Sequence, residues 1–277
     1  MAMIRRRGFT LIELIIVITL TGIVVAMIGP LLVRPFSLVT DQERRARLLE
    51  RAQAAITLIQ REVRQALPNS VRVNGTALEL VPVLFAGRYP SGDDPANIDT
   101  LTPRKPDANF SVMADFSLPS GARAVVNPHN TTLFYSAMAD AYNGMVTPST
   151  TTVSLVDNGT QDRITLSSPF RFDPSGNGSP SRRVFFVSTP VTYLCEGNEL
   201  RRFASYSAAV AQPTSSSSAP LNTAGSQALV TDGVTFCQFR YAVGVAQRSG
   251  LLTIELELSE DGEAVRLIGQ VHVENVP

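Results

Sequence analysis

Glu13 is the only charged side chain in an apolar run of 25 residues, 9–33, and three arginines at residues 5–7 precede that run. An ionised carboxylate at the centre of a membrane-spanning helix costs at least about 2.5–3.5 kcal/mol. A cation beside it offsets that cost, because the attraction between two charges strengthens as the dielectric constant falls. The chemistry that Glu13 offers is therefore charge pairing.

Catalytic and metal-binding patterns do not appear elsewhere in the sequence. Its two histidines, His129 and His272, lie in no HExxH motif, and there is no GxSxG elbow, Walker A motif or paired CxxC. Asp93, Asp94 and Asp99 could ligate calcium, but their spacing matches no calcium loop and favours an acidic turn. We expect no enzyme, metal or cofactor. The 24 basic residues balance 24 acidic ones, which argues against a nucleic-acid partner.

The apolar run itself allows three interpretations. At about 1.5 Å per residue, residues 9–33 are long enough to span the roughly 30 Å hydrocarbon core of a bilayer. A secretory signal peptide has a shorter apolar region, of about 7–15 residues, followed by a cleavage site of small residues. An uncleaved signal anchor fits the length but leaves Glu13 unexplained. In the third interpretation the chain is cut on the cytoplasmic side of the run, between Gly8 and Phe9.

The third interpretation rests on a resemblance. The sequence GFTLIE at residues 8–13, after a basic leader and before an apolar helix, resembles the class III signal of type IV pilins and type II secretion pseudopilins. The resemblance implies that a prepilin peptidase cuts after Gly8, that the new N-terminal residue Phe9 is methylated, and that Glu13 acts in assembly. It also implies a single-pass protein of the bacterial inner membrane with a periplasmic C-terminal head, which later joins a periplasmic or extracellular filament.

Cleavage would give Glu13 a partner. The new amine of Phe9 lies four positions before the carboxylate, within reach along a helix. In a growing filament the Glu13 of an incoming subunit could instead meet the amine of its neighbour. The partners implied are the prepilin peptidase, other minor and major pilins, the inner-membrane assembly platform and, before assembly, membrane lipid.

The rest of the chain predicts an α+β protein with a pilin-like plan. Apolar residues recur at intervals of three and four from Leu48 to Leu67, which predicts that an amphipathic helix, 34–67, continues the transmembrane helix. After Pro68 the pattern changes to short strands with period-two alternation, clearest in 252–258. We expect the helix to cover an antiparallel sheet in a head of residues 68–277. Long loops are expected at 88–109, 173–182 and 211–227, which are rich in Pro, Gly, Ser and Asp.

Cys195 and Cys237 are the only cysteines, and each lies on a strand face with apolar neighbours. Two cysteines that face one core in an oxidising periplasm favour a disulfide, with two buried free thiols as the alternative. The loop so closed would hold 43 residues, which the chain-entropy model values at roughly 4 kcal/mol.

Several stretches resemble one kind of protein within this class. Residues 66–73, 78–83, 86–89 and 184–193 are similar to minor pilins of the MSHA-pilus type. That resemblance implies a low-copy pilin that primes assembly and lies at the filament tip. A J-type minor pseudopilin of a type II secretion system is the alternative within the class. A tip adhesin for a surface or carbohydrate is an alternative of another class, and it would need exposed aromatic and amide groups; Tyr135, Tyr142 and Asn143 are the candidates.

Overall fold

A computed structural model describes residues 9–91, 99–113, 116–156, 162–173, 178–244 and 249–273, without the side chains of residues 29–40. Gly8 and the rest of the expected leader, 1–8, lie outside the described residues, as do Asp93 and Asp94. The helices are α1 (Leu11–Arg64) and α2 (Thr131–Met138), and a 3-10 turn covers Leu221–Thr223. The strands are β1 (Arg72–Asn74), β2 (Ala77–Leu80), β3 (Val83–Arg88), β4 (Asp107–Val112), β5 (Arg123–Val126), β6 (Val153–Val156), β7 (Asp162–Phe170), β8 (Arg183–Val187), β9 (Val191–Glu196), β10 (Glu199–Ala204), β11 (Ser226–Asp232), β12 (Val234–Ala242), β13 (Gly250–Glu260) and β14 (Glu263–Val273).

The strands of the described residues form four antiparallel sheets. One has five strands in the order β1-β2-β9-β10-β11, and the others are β12-β13-β14, β3-β8-β5 and β4-β7-β6. The chain is therefore an α+β protein with a long N-terminal helix and antiparallel sheets, as predicted, and this arrangement is consistent with a pilin-like fold.

The outer half of α1 packs on the first two sheets. Its buried face carries Leu48, Ile56, Ile59 and Val63, which meet the inward side chains of β13 and β14 in one core. Complete burial of an aliphatic side chain of this size contributes about 1.5–3 kcal/mol. The predicted apolar face is thus the face that attaches the helix to the head.

The other two sheets form a second layered unit. Phe110, Ile164 and Phe186 are fully buried between β3-β8-β5 and β4-β7-β6. Helix α2 covers the opposite side of the β5-β8 pair with Phe134 and Tyr135. Asn130 caps α2 by accepting a hydrogen bond from the Leu133 N–H, and the sequence reasoning missed this eight-residue helix.

Tight turns set the register of the principal hairpins. Strand β13 runs into β14 through Asp261 and Gly262, which both have positive φ, of 50° and 88°. Two consecutive residues of this kind match the twist of an antiparallel pair. Gly197, at φ 65°, plays the same role between β9 and β10.

Some predicted boundaries differ from those observed. Helix α1 ends at Arg64 rather than Leu67, because Ala66 bridges to Pro82 and the Leu67 N–H donates to the Val81 carbonyl. Pairing with the sheet edge thus ends the helix before proline does. The expected loop 88–109 contains the last residue of β3 and the start of β4, and the loop 211–227 contains a 3-10 turn and the start of β11.

Candidate functional site: the N-terminal segment of the long helix

Helix α1 begins with a side-chain cap. Thr10 is extended, with φ −83° and ψ 149°, and its Oγ1 accepts a hydrogen bond of 3.3 Å from the Glu13 N–H. The Thr10 carbonyl accepts from the Leu14 N–H at 3.2 Å. Thr-x-x-Glu before an apolar run is the sequence signature of a capping box, a signal that the expectations above did not use. Glu13 therefore lies in the first turn, where the positive end of the helix dipole favours a carboxylate.

The segment after this cap has no partner within the chain. Leu11–Ile28 has a mean hydropathy of 2.7, and none of it is buried. Phe9, at the end of the described segment, is 83% exposed. Among the described residues this is the only helix long and apolar enough to cross a membrane. Such a surface requires lipid or other apolar helices around it.

The polar groups of this segment are arranged to suit an apolar environment. The Thr19 hydroxyl hydrogen-bonds to the carbonyls of Ile15 and Ile16, each at 3.0 Å. A hydroxyl paired with its own helix escapes the cost of lying unpaired in hydrocarbon. Glu13 has only its backbone N–H engaged in the bonds described for it, so its carboxylate is the group left to bind a partner.

Residues 3–29 match the family model described as the prokaryotic N-terminal methylation motif. This motif supports a type IV pilin or pseudopilin-type protein. It implies processing by a prepilin peptidase and assembly into filaments, and it indicates a structural rather than an enzymatic role. No curated protein and no solved structure matches the chain.

Helix α1 is tied to the head by ion pairs as well as by the apolar core. Arg51 pairs with Asp232 and with Glu260, the latter at 3.2 Å, and Arg44 lies 3.4 Å from Asp261. All five side chains are at least one-third exposed, so each pair contributes little, about 0–1 kcal/mol. Arg44 and Arg51 therefore help to fix the rotation of the helix on the head.

A disulfide joins two sheets of the head. Cys195 on β9 and Cys237 on β12 form the pair that the sequence predicts, with their Cα atoms 6.3 Å apart. The Cys195 N–H donates to the Thr76 carbonyl at the β1-β2 turn. The Phe239 N–H donates to the Gly75 carbonyl of the same turn. The bridge thus fixes the edge where the five-stranded sheet meets β12.

A buried ion pair holds the chain at Ala209 and Val210 in place. Glu79 on β2 is fully buried; burial raises its pKa, and the neighbouring Arg72 opposes this rise. The Arg72 Nε lies 2.7 Å from the Glu79 carboxylate, and the Tyr206 hydroxyl donates to that carboxylate at 2.9 Å. The remaining nitrogens of Arg72 donate to the carbonyls of Ala209 and Val210. The network is structural, because Arg72 ties the chain at Ala209 and Val210 to Glu79 on β2.

The candidates for an adhesin surface do not converge. Tyr135 is fully buried and its hydroxyl donates to the Ser70 carbonyl at 2.8 Å, so the expectation that it is exposed is wrong. It packs in the core because it faces β5 and β8 from α2. Tyr142 is 58% exposed, whereas the Asn143 amide donates to the Leu133 carbonyl.

Groups with catalytic or metal-binding potential are dispersed. No group of three or more histidine, cysteine, aspartate or glutamate side chains that could hold a metal occurs in the described part of the chain. His129 and His272 are both exposed. Asp99 pairs with Arg163 at 2.9 Å, which assigns this carboxylate a structural contact.

Proposed function

We propose that this protein is a minor, low-copy type IV pilin that helps to prime pilus assembly and lies at or near the filament tip. In this proposal it resembles MshO, the MSHA-pilus biogenesis protein. The prepilin peptidase removes residues 1–8, and Phe9 is then methylated. The observation that carries the proposal is a capped apolar helix, wholly exposed over Leu11–Ile28, whose first turn contains the lone carboxylate Glu13.

The arrangement of α1 supports assembly through helix packing. Its inner half, 9–33, would lie in the inner membrane before assembly and in the filament core afterwards. The outer half, 34–64, has one face on the head and an opposite face that includes Leu49, Ala54 and Thr57, which are exposed. Other minor and major pilins would cover that face, and the assembly platform would extract the helix from lipid. The head, 68–277, would project into the periplasm and later from the filament.

Glu13 is assigned two roles that substitutions can separate. Its backbone N–H donates to the Thr10 cap, and loss of that cap costs about 0.5–2 kcal/mol. As a charge it would pair with the methylated amine of Phe9 on a neighbouring subunit. A buried charge that loses its partner costs about 3–5 kcal/mol, so the charge pair is the larger effect.

The test compares Glu13→Gln with Thr10→Val in cells that carry the complete assembly system. Glutamine keeps the shape of glutamate and the backbone N–H bond to Thr10 but not the charge, whereas valine at position 10 removes the cap and leaves the charge. We expect Glu13→Gln to be cleaved and methylated normally yet absent from sheared filaments, and Thr10→Val to be incorporated at a reduced level. Thr19→Val, whose hydroxyl bonds only within its helix, is the matched control. Incorporation of Glu13→Gln at the level of the natural chain would contradict the charge-pair assignment.

A deletion strain decides between a pilus and a secretion system. Deletion of the gene should reduce the number of surface pili and leave the secretion of exported enzymes unchanged. Normal piliation together with lost secretion would identify the J-type pseudopilin instead.

A further inference from the structure

A cavity of about 360 Å³ opens in the head between the end of α2, the start of β5 and the turn that precedes β9. Small-molecule sites have volumes from about 300 Å³ upward and combine an apolar wall with a few convergent polar groups. The lining here includes Met138, Val153 and Pro190 on the apolar side. It shares no residue with the Phe9–Glu13 segment or with the adhesin candidates considered above.

The wall of this cavity is held in place by a buried arginine. Arg123, only 9% exposed, donates to the carbonyls of Thr147 at 2.7 Å and Met138 at 2.6 Å, both of which lie in chain segments around the cavity. The Nη2 of Arg123 donates to the Ala137 carbonyl at 3.1 Å and to the Asp140 carboxylate at 2.9 Å. With these bonds made, Arg123 supports the site and has little capacity left to bind an anion.

Four hydroxyl groups in the lining remain available. The side chains of Thr151, Thr152, Thr189 and Ser207 line the cavity and make no hydrogen bond within the described part of the chain. Each can both donate and accept. Threonine and serine hydroxyls that lack a hydrogen-bond partner, beside apolar side chains, suit a ligand that has both hydroxyl groups and C–H surface.

One carboxylate completes the set. Asp140 lines the cavity and accepts from the Ser149 N–H at 2.8 Å, from the Ser149 hydroxyl and from Arg123. Burial alone would raise the pKa of Asp140, but the bonds from Ser149 and Arg123 outweigh it and lower that pKa, so the group is ionised at neutral pH. An ionised carboxylate is a strong acceptor for a ligand hydroxyl. Arg123 balances its charge, which disfavours a strongly charged ligand of either sign.

We propose that this cavity binds a small neutral saccharide or similar polyol, with its hydroxyls on Asp140, Thr151 and Ser207 and its C–H face on Met138 and Val153. The assignment is independent of the proposed pilin function, because a subunit with an empty cavity would still be cleaved and assembled. The head would then have a ligand-binding site separate from the Phe9–Glu13 segment.

The test is ligand-observed NMR on the full mature chain in lipid nanodiscs, which avoids detergents that carry sugar headgroups. The probes are glucose, galactose and N-acetylglucosamine, with glucuronate and glucosamine as negatively and positively charged analogues and empty nanodiscs as the blank. We expect saturable binding of at least one neutral sugar, with the charged analogues weaker.

Two variants locate the site. Thr151→Val removes one hydroxyl at nearly constant shape and should weaken binding about tenfold, the upper end of the net value of one hydrogen bond. Ala139→Leu adds bulk at an exposed position of the rim and should abolish binding. Thr132→Val, at an exposed hydroxyl of α2 outside the cavity, is the matched control and should bind normally. Thermal unfolding confirms that each variant is folded, and either cavity variant alone suffices for the test.

Three results would overturn the proposal. The first is no saturable binding of any neutral probe well above millimolar concentration. The second is unchanged affinity in a folded Thr151→Val or Ala139→Leu variant, and the third is tighter binding of a charged analogue. Each of these is separable from failure of the pilin proposal, which is read from cleavage and filament incorporation.

Discussion

A close approach between α1 and β14 gives a quantitative test of how the helix packs on the head. A Cβ added at Gly269 on β14 would lie 2.3 Å from the Ile56 Cγ2 and 3.3 Å from the Gln60 Nε2. Carbon atoms in contact lie at about 3.5 Å or more, so the helix and strand would have to separate by about 1.2 Å. Ile56 cannot turn aside easily, because a β-branched side chain in a helix has one strongly preferred rotamer.

We therefore expect Gly269→Ala to lower the free energy of unfolding by about 1–3 kcal/mol, the usual cost of overpacking. Ile56→Ala should cost about 2–5 kcal/mol by itself, since Ile56 is 6% exposed. It also removes the clashing methyl group, so the double variant should be less destabilised than the sum of the two by about 1 kcal/mol or more. Gly22→Ala, where an added Cβ meets nothing within 4 Å, should leave the unfolding of the head unchanged.

The assay is urea-induced unfolding of the full chain in detergent, followed by tyrosine fluorescence, since the protein has six tyrosines and no tryptophan. Tyr193 reports directly because it is buried in the core that contains Ile56. A Gly269→Ala variant within about 0.5 kcal/mol of the natural chain, or strict additivity in the double variant, would refute this account of the helix–sheet contact.

Further predictions concern the head. Replacement of both Cys195 and Cys237 by alanine should lower the free energy of unfolding by roughly 4 kcal/mol through loss of a 43-residue loop constraint, measured by urea unfolding; a loss below about 1 kcal/mol would contradict it. Arg72→Met should cost about 3–5 kcal/mol in the same assay, because it leaves Glu79 buried without its cation, and an unchanged midpoint would contradict that assignment. Hydrogen bonds from Ser216 and Ser215 lower the pKa of Glu196 below 4.5. Its carboxylate therefore stabilises the fold above pH 4.5 and loses that effect as the pH falls through its folded pKa. Glu196→Gln should therefore be less stable than the natural chain at pH 7 and equal to it at low pH, and a pH-independent difference would refute the cause given.

Local patterns predicted those parts of the fold that depend on near neighbours. The face from Leu48 to Val63 and the alternation in 252–258 each follow from one element's own periodicity, and both are buried as expected. The pairing of Cys195 with Cys237 also followed from strand faces. The capping signature at Thr10 was equally local and could have been identified from the sequence.

Contacts between distant segments were not predictable in the same way. Arg51 pairs with Asp232 and Glu260, about 180 and 210 positions later in the chain, and no local pattern indicates either pair. The burial of Tyr135 depends on where α2 lies over β5 and β8, which its own sequence does not encode. The cavity beside Asp140 is assembled from five separate segments, so no motif could indicate it.

The central claim is that Phe9 becomes the N-terminus of a subunit destined for a filament. It is tested most directly by intact mass and N-terminal sequencing of the protein from cells with and without the prepilin peptidase. The account predicts a chain that begins at Phe9 with one added methyl group when the peptidase is present, and the uncut chain when it is absent. An uncut chain in both strains would contradict it, and the N-terminal helix would then be a permanent anchor for the head.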